Sequence, residues 1–456
     1  MMRSFSLAEL CEPLNAILVG GDCRIDSVCT DSRELKTGDL FVALSGDNFD
    51  GHNYLDVAAN AGAAAVMISR ESTAALPQLQ VADTQRGLGL LGAYNRAQFS
   101  GPLVAITGSA GKTTVKNIVH AVLSQRGETL ATDGNFNNEV GVPLTLLRLG
   151  PGDEFAVVEM GAAGKGHIEW LCEIGKPTVS LLLNAMPAHL DGFGSVEQIA
   201  DAKAEIYDAL GTQGVAVINA DQAWADAWRA RAGEARVIDF STVSSAAAVH
   251  LLEARSLGIE GSELRIATPV GEFVAMLALP GPHNHSNALA AVAVGLACGL
   301  ELAEIAAGLA AVQPVAGRLA AVRNASGALV IDDSYNANPG SVKAAIETLI
   351  EASGRRTLVL GVMRELGPES AMMHRQMGEF SREAGLDQFW GVGEELREAV
   401  EVFGSGGRWF EDCDQALAAG VESFGPEDAV LVKGSRGARM ERVVNGLTAL
   451  ASAGER

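Results

Sequence analysis

Seven consecutive residues, Gly108 to Thr114 (GSAGKTT), carry the strongest chemical signal in the chain. They follow the apolar run LVAIT and precede VKNIVHAVL, so a buried strand ends in a small-residue turn that opens a helix. Gly108, Ser109, Ala110 and Gly111 are small enough for backbone N–H groups to turn inward around an anion, and the helix N-terminus favours negative charge there. Lys112 would reach the β- and γ-phosphates of a nucleotide, with the Thr113 hydroxyl on magnesium and Thr114 beside it. The usual spacing G-x-x-x-x-G-K-[ST] wants glycine at 106, where Ile106 stands, so the loop is two residues short. With no G-x-G-x-x-G in this turn, ATP or GTP rather than a dinucleotide is the expected ligand.

In an open parallel sheet, ligands gather at the carboxyl ends of strands, so polar residues just past strands are candidates to meet those phosphates. Glu159 ends the run FAVVE and suits Mg²⁺, although a strand-end carboxylate can also simply face solvent. His189, after TVSLLLNA, offers a second metal ligand or a hydrogen bond, or neither. In SVEQIADAKAEIYDAL, Val196, Ile199, Lys203, Ile206 and Leu210 recur at spacings of three and four, which puts Lys203 inside an apolar stripe. The lysine there either snorkels or is buried with a lowered pKa. A buried neutral amine can add carbon dioxide and so become a carboxylate-like metal ligand.

These residues need rigid elements to hold them. LVAIT, FAVVEMG, TVSLLLNA and GVAVINA are strand-length apolar runs, each followed by a turn and a helix-period segment, as in a doubly wound parallel sheet. ELRIATPVGEFVAMLAL reads as a hairpin around Pro269-Val270-Gly271, an antiparallel appendage. Pro314 and Gly317 mark a linker, after which GALVIDDS, RRTLVLGV, DQFWGVG and DAVLVKG repeat the α/β pattern. The expected fold is therefore α/β in three domains: a small N-terminal unit over 1–82, a central phosphate-loop domain over 83–313, and a C-terminal Rossmann-like domain over 314–456.

At 456 residues and 48% hydrophobic content the chain can bury several cores. Its formal net charge of -22 repels nucleic acid and anionic membrane surfaces, so neither is an expected partner. The six cysteines form no C-x-x-C pair and suggest neither a zinc cluster nor a disulfide framework. The N-terminus MMRSFSLAELCEPL lacks a signal-peptide core, and the run ALAAVAVGLACGL stops well short of the ~20 residues that span a bilayer. A cytoplasmic monomer is expected.

TGSAGKTT, the Glu159 strand, NAMPAHLDGF and AKAEIYDAL, in this order, resemble the Mur ligase family of ATP-dependent amide-forming enzymes, whose phosphate loop has this shortened spacing. GNFNNEVGVPLTLLRL, GPHNHSNALAA, AGR, DDSYNANP, LVKGSRGARME and TDSRELKTGDLFVAL extend the resemblance over nearly the whole chain. They point to the branch that joins D-alanyl-D-alanine to UDP-N-acetylmuramoyl-tripeptide for peptidoglycan synthesis. The resemblance implies an N-terminal domain for the UDP-sugar, a central ATPase, and a C-terminal domain closing over the nucleotide.

The resemblance also implies roles. Lys112 and Thr113 bind phosphate and magnesium, two Mg²⁺ ions being expected. Glu159 and His189 are similar to metal ligands, and Lys203 matches a lysine carbamylated in the family. Asn284 and Asn287 match asparagines near adenine, Arg318 a nucleotide-contacting arginine, and Asp333 an aspartate on the ribose. Ser32 and Arg33 are similar to positions near the uridine or its diphosphate, and Asn336, Arg364 and Ser435 are loop candidates for the dipeptide. Each has a plainer reading: the asparagines as helix N-caps, Asp333 and Asn336 as turn formers. Competing functions are a sister ligase adding the third amino acid, a folylpolyglutamate synthase, or a GTPase-like switch, which would need the N-K-x-D this chain lacks.

Overall fold

A computed structural model describes residues 2–46, 48–187 and 193–449 of the chain. Three large sheets dominate them. The nine-stranded central sheet runs in the order Thr129–Ala131, Phe155–Glu159, Leu103–Thr107, Val179–Leu182, Val215–Asn219, Arg236–Ser241, Val249–Ser256, Ser262–Thr268 and Gly271–Leu277. Pairing is parallel up to Val249–Ser256 and antiparallel beyond it.

The strand before the phosphate loop shows why these segments form a doubly wound sheet. All five residues of Leu103–Thr107 are buried. Their alternation sends Val104 and Ile106 to one face, against Val115, Ile118 and Val122 of the helix Lys112–Leu123. Leu103 and Ala105 go to the other face, with Ile168, Leu171 and Ile199. A strand covered on both sides must be apolar throughout, which LVAIT is.

The chain leaves Leu103–Thr107, builds two strands on one side of it, then returns to add Val179–Leu182 on the other. This reversal opens a crevice past the strand's carboxyl end, and the phosphate loop sits in it.

The hairpin predicted as an appendage forms, with Thr268 opposite Gly271, but it continues the central sheet. Phe240 and Ser241 pair with Val249 and His250, so the open edge of the parallel part templates the antiparallel part.

Residues 17–80 hold a five-stranded sheet in the order Ile17–Val19, Gln78–Gln80, Ala65–Ile68, Leu40–Val42, Val28–Cys29. Leu88 and Leu91 of the helix Thr84–Ala97 enter the same core as Leu7, Leu40 and Met67. That helix also packs against Gly141–Leu147, so it joins the first sheet to the central layer.

A six-stranded sheet follows residue 319, ordered Ala320–Arg323, Leu329–Asp333, Asp428–Lys433, Arg355–Gly361, Gln388–Val392, Gly407–Phe410. Only its first pair is antiparallel. Among the described residues, no helix is long and apolar enough to cross a membrane.

Candidate active site

One cavity of about 710 Å³ lies where the carboxyl ends of the central and C-terminal sheets face each other. Its wall includes Gly108 to Thr114, Glu159, Lys203, Asn284, Asn287, Arg318, Asp333 and Asn336. The predicted nucleotide residues, spread over more than 200 positions of sequence, therefore meet around one space. Ser32 and Arg33 are not part of this wall; the Arg33 side chain is 86% exposed and ion-paired with Asp31 at 2.5 Å. His189 lies outside the described residues.

The phosphate loop is stapled to the segment after Val179–Leu182. Ser109 N–H donates to the Asn184 carbonyl at 3.1 Å and Ala110 N–H to Asn184 Oδ1 at 3.0 Å. Ser109 Oγ donates to Met186 O and accepts from Met186 N–H. This differs from the expectation that the loop's first N–H groups face the anion, because Asn184 has already taken them. The donors left for phosphate are those at the start of Lys112–Leu123, which no helix can satisfy internally. Gly111, at φ 81, makes the turn into that helix.

Lys112 folds back so that its Nζ donates to Gly108 O at 2.8 Å. Burial pushes its pKa down, while the Glu159 carboxylate opposes that shift. Thr113 Oγ1 donates to Glu159 Oε2 at 2.8 Å and accepts from Arg318 Nη2 at 2.9 Å. Asn137 Nδ2 donates to the other Glu159 oxygen at 2.7 Å. Glu159, 2% exposed, is thus aimed at the phosphate-loop threonine rather than at solvent.

Lys203 is 2% exposed, and its Nζ stands 5.8 Å from the centroid of the Phe193 ring. Burial first, and the Lys112 charge second, push its pKa down to about 7. Among the described residues, no carboxylate is ion-paired with Lys203. The lysine does not snorkel: Ile199 and Ile206 of its stripe lie in a hydrophobic core, and Lys203 itself lines the cavity.

The helix His283–Ala297 has Pro282 as its N-cap, so neither Asn284 nor Asn287 caps it. Asn284 Nδ2 donates to Pro280 O at 2.7 Å, and Asn287 Nδ2 to Asn284 Oδ1 at 2.8 Å. That leaves Asn287 Oδ1 3.2 Å from where a side chain on Gly111 would begin. Across the cavity, Lys433 Nζ donates to Asp333 Oδ2 at 2.6 Å and to Asn336 O at 2.9 Å. Burial raises the Asp333 pKa, and the Lys433 charge opposes the rise.

Sequence reasoning missed Asn137, Asn184 and Lys433. Lys433 had a usable signal, since it ends the buried strand Asp428–Lys433 just as Glu159 ends Phe155–Glu159. Asn137 and Asn184 had none, because loop asparagines are ordinary and their partners are remote in sequence.

The arrangement can hold a nucleoside triphosphate and deliver cationic charge to its terminal phosphate. Thr113 and Glu159 supply oxygen donors only, a hard set that fits Mg²⁺, which takes few protein ligands and completes its shell with water and phosphate.

Three family models match the chain: the Mur ligase family catalytic domain over residues 24–94, the Mur ligase middle domain over 106–295, and the Mur ligase glutamate ligase domain over 317–436. The UDP-N-acetylmuramoyl-tripeptide--D-alanyl-D-alanine ligase of Escherichia coli (strain K12) is 43% identical over 98% of this chain and 99% of its own length. A crystal structure of MurF from Acinetobacter baumannii superposes with a TM-score of 0.93 at 34% identity, covering 98% of this chain and 99% of that one. The MurF ligase of Thermotoga maritima in complex with ADP gives a TM-score of 0.83 at 29% identity, covering 93% and 97%.

Proposed function

Because this chain belongs to the Mur ligase family, we propose that it joins D-alanyl-D-alanine to UDP-N-acetylmuramoyl-tripeptide at the expense of ATP. The product is UDP-N-acetylmuramoyl-pentapeptide, a peptidoglycan precursor. The observation that carries the reading is one cavity bringing Lys112, the Thr113–Glu159 pair, buried Lys203 and the Arg318–Asp333 side together.

A carboxylate resists attack by an amine until one of its oxygens becomes a leaving group. In the proposed sequence a terminal carboxylate oxygen of the tripeptide bonds to the γ-phosphorus of ATP and ADP departs. The dipeptide amine then attacks the acyl carbon, loses a proton, and inorganic phosphate leaves. Lys112 and Arg318 reduce the repulsion between the triphosphate and the incoming carboxylate, and the helix start at Lys112–Thr114 fixes the phosphates. Magnesium, when bound, adds charge neutralisation at the triphosphate, and Thr113 and Glu159 would hold it. Two ions, with His189 as a further ligand, are part of the proposal.

Lys203 is proposed to be carbamylated. Its neutral amine would bond to carbon dioxide and release one proton to solvent. The resulting carboxylate-like group puts an anion opposite the Lys112 cation, where that cation and burial disfavour a protonated amine. Asn284 and Asn287 are assigned to the adenine side and Asp333 to the ribose. Ser32 and Arg33 are assigned to the uridine end and Asn336 to the dipeptide. The working division is 1–82, 83–313 and 314–456, and the protein acts as a cytoplasmic monomer.

The test is phosphate release from ATP. It should require both UDP-N-acetylmuramoyl-tripeptide and D-alanyl-D-alanine. Release with a free amino acid and a shorter UDP-peptide would identify a sister ligase, release with a folate and glutamate would identify a folylpolyglutamate synthase, and release without either acceptor would defeat the ligase reading.

A further inference from the structure

We infer that Arg436, supported by Arg364, binds the C-terminal carboxylate of the incoming dipeptide. This deepens the dipeptide-ligase reading above and rests on it. A dipeptide that presents its amine to an acyl phosphate carries a free carboxylate at its other end. In a protein of formal net charge -22 that carboxylate needs a dedicated cation nearby.

The geometry supplies one. Arg318, bonded to the phosphate-loop Thr113, stacks on Tyr335 with 4.3 Å from its guanidinium carbon to the ring centroid. The guanidinium of Arg436 approaches the same ring at 5.6 Å. Tyr335 lines the cavity, so Arg436 stands two cation–ring contacts from the phosphate site. Through the shared ring the two guanidinium carbons are at most about 10 Å apart, and an extended dipeptide covers about 7 Å of that.

Arg364 belongs to the same cluster. Gly437 lets its side chain lie against the Arg436 loop, since a side-chain carbon there would stand 2.8 Å from Arg364 Nε. Among the described residues, the side chains of Arg364 and Arg436 have no hydrogen bond or ion pair within the protein.

The loops that carry these groups are locked, as a binding site requires. They leave the carboxyl ends of the adjacent parallel strands Leu329–Asp333, Asp428–Lys433 and Arg355–Gly361. Ser435, 4% exposed, ties all three. Its Oγ accepts from Arg364 N–H at 2.8 Å and donates to Ala337 O at 3.2 Å, while its own N–H donates to Val362 O at 3.1 Å.

Steady-state kinetics on the full-length protein test this with D-alanyl-D-alanine and its C-terminal amide. Arg436→Ala should raise KM for the dipeptide about tenfold to a hundredfold, the range for losing a charge-assisted contact, with KM for ATP and UDP-N-acetylmuramoyl-tripeptide within about twofold. The parent protein should use the amide poorly, and the variant should no longer distinguish amide from acid. Arg436→Lys should recover part of the preference, and Arg364→Ala should show a smaller loss of the same kind. An Arg436→Ala protein that keeps the full preference for the free carboxylate, or whose defect is in KM for ATP, overturns the inference while leaving the ligase reading intact. A parent protein idle with the dipeptide defeats both.

Discussion

Lys203 concentrates the electrostatics of the site in one amine. As a free amine, before any carbon dioxide is added, its folded-state pKa of about 7 lies below the ordinary 10.5, so between those values the unfolded chain binds more protons than the folded one. The destabilisation is therefore complete below pH 7 and vanishes above about pH 10.5, and stability should rise with pH across that window. Lys203→Met should abolish this slope and gain up to a few kcal/mol near neutrality, read from denaturant midpoints at several pH values. Activity should move the other way. Lys203→Ala should be nearly inactive and partly restored by formate or acetate, a carboxylate replacing the lost carbamate; full activity with no added acid would remove that role. Lys433 poses the opposite case, a buried cation with a carboxylate partner. Lys433→Met leaves Asp333 buried without its counter-charge and should cost about 3–5 kcal/mol. The deficit should shrink as pH falls through the raised Asp333 pKa, because a protonated carboxyl is easier to bury.

Among the elements, the turn from Leu103–Thr107 into Lys112–Leu123 depends on a backbone conformation that only glycine adopts freely. Gly111 sits at φ 81, and a side chain there would also press on Asn287 Oδ1 at 3.2 Å. Gly111→Ala should cost about 1–2 kcal/mol in strain and displace the helix start from the phosphates. Calorimetric titration should show nucleotide affinity down by about tenfold, with affinity for UDP-N-acetylmuramoyl-tripeptide unchanged. Equal loss of both would mean that the turn supports the whole fold rather than the phosphate site. The short loop works for a related reason: Asn184 takes the N–H groups of Ser109 and Ala110, and the helix start provides the donors that remain.

For the whole molecule, the cavity exists only while the C-terminal sheet stays docked on the central one. Arg318 is one tie. The end of the central sheet's antiparallel extension is another: Ile259 packs into the C-terminal core and Ser256 Oγ donates to Glu351 at 2.8 Å. Gly281 approaches Thr348 so closely that a side chain would begin 2.1 Å from the Thr348 hydroxyl. Ile259→Asp puts an unpaired charge into that interface and should loosen docking without touching any substrate group. The expected result is a kcat reduced about tenfold and a raised KM for ATP, with direct binding of UDP-N-acetylmuramoyl-tripeptide preserved. Unchanged turnover would mean that this contact has no part in closure.

Much of this was legible in the residues themselves. LVAIT followed by GSAGKTT specifies strand, turn and anion-binding helix start, because each step depends on neighbours in sequence. Glu159 at the end of a buried strand and Lys203 in an apolar stripe follow from periodicity alone. The tertiary structure decided the partners. It decided that Asn287 faces Gly111 rather than capping its own helix, that Asn184 takes the first loop N–H groups, and that Lys433 holds Asp333. It also set Tyr335 between Arg318 and Arg436. Hydrogen bonds and ion pairs across 70 to more than 200 positions follow from how sheets stack and where loops cross, and local sequence has no period or propensity that encodes such a meeting.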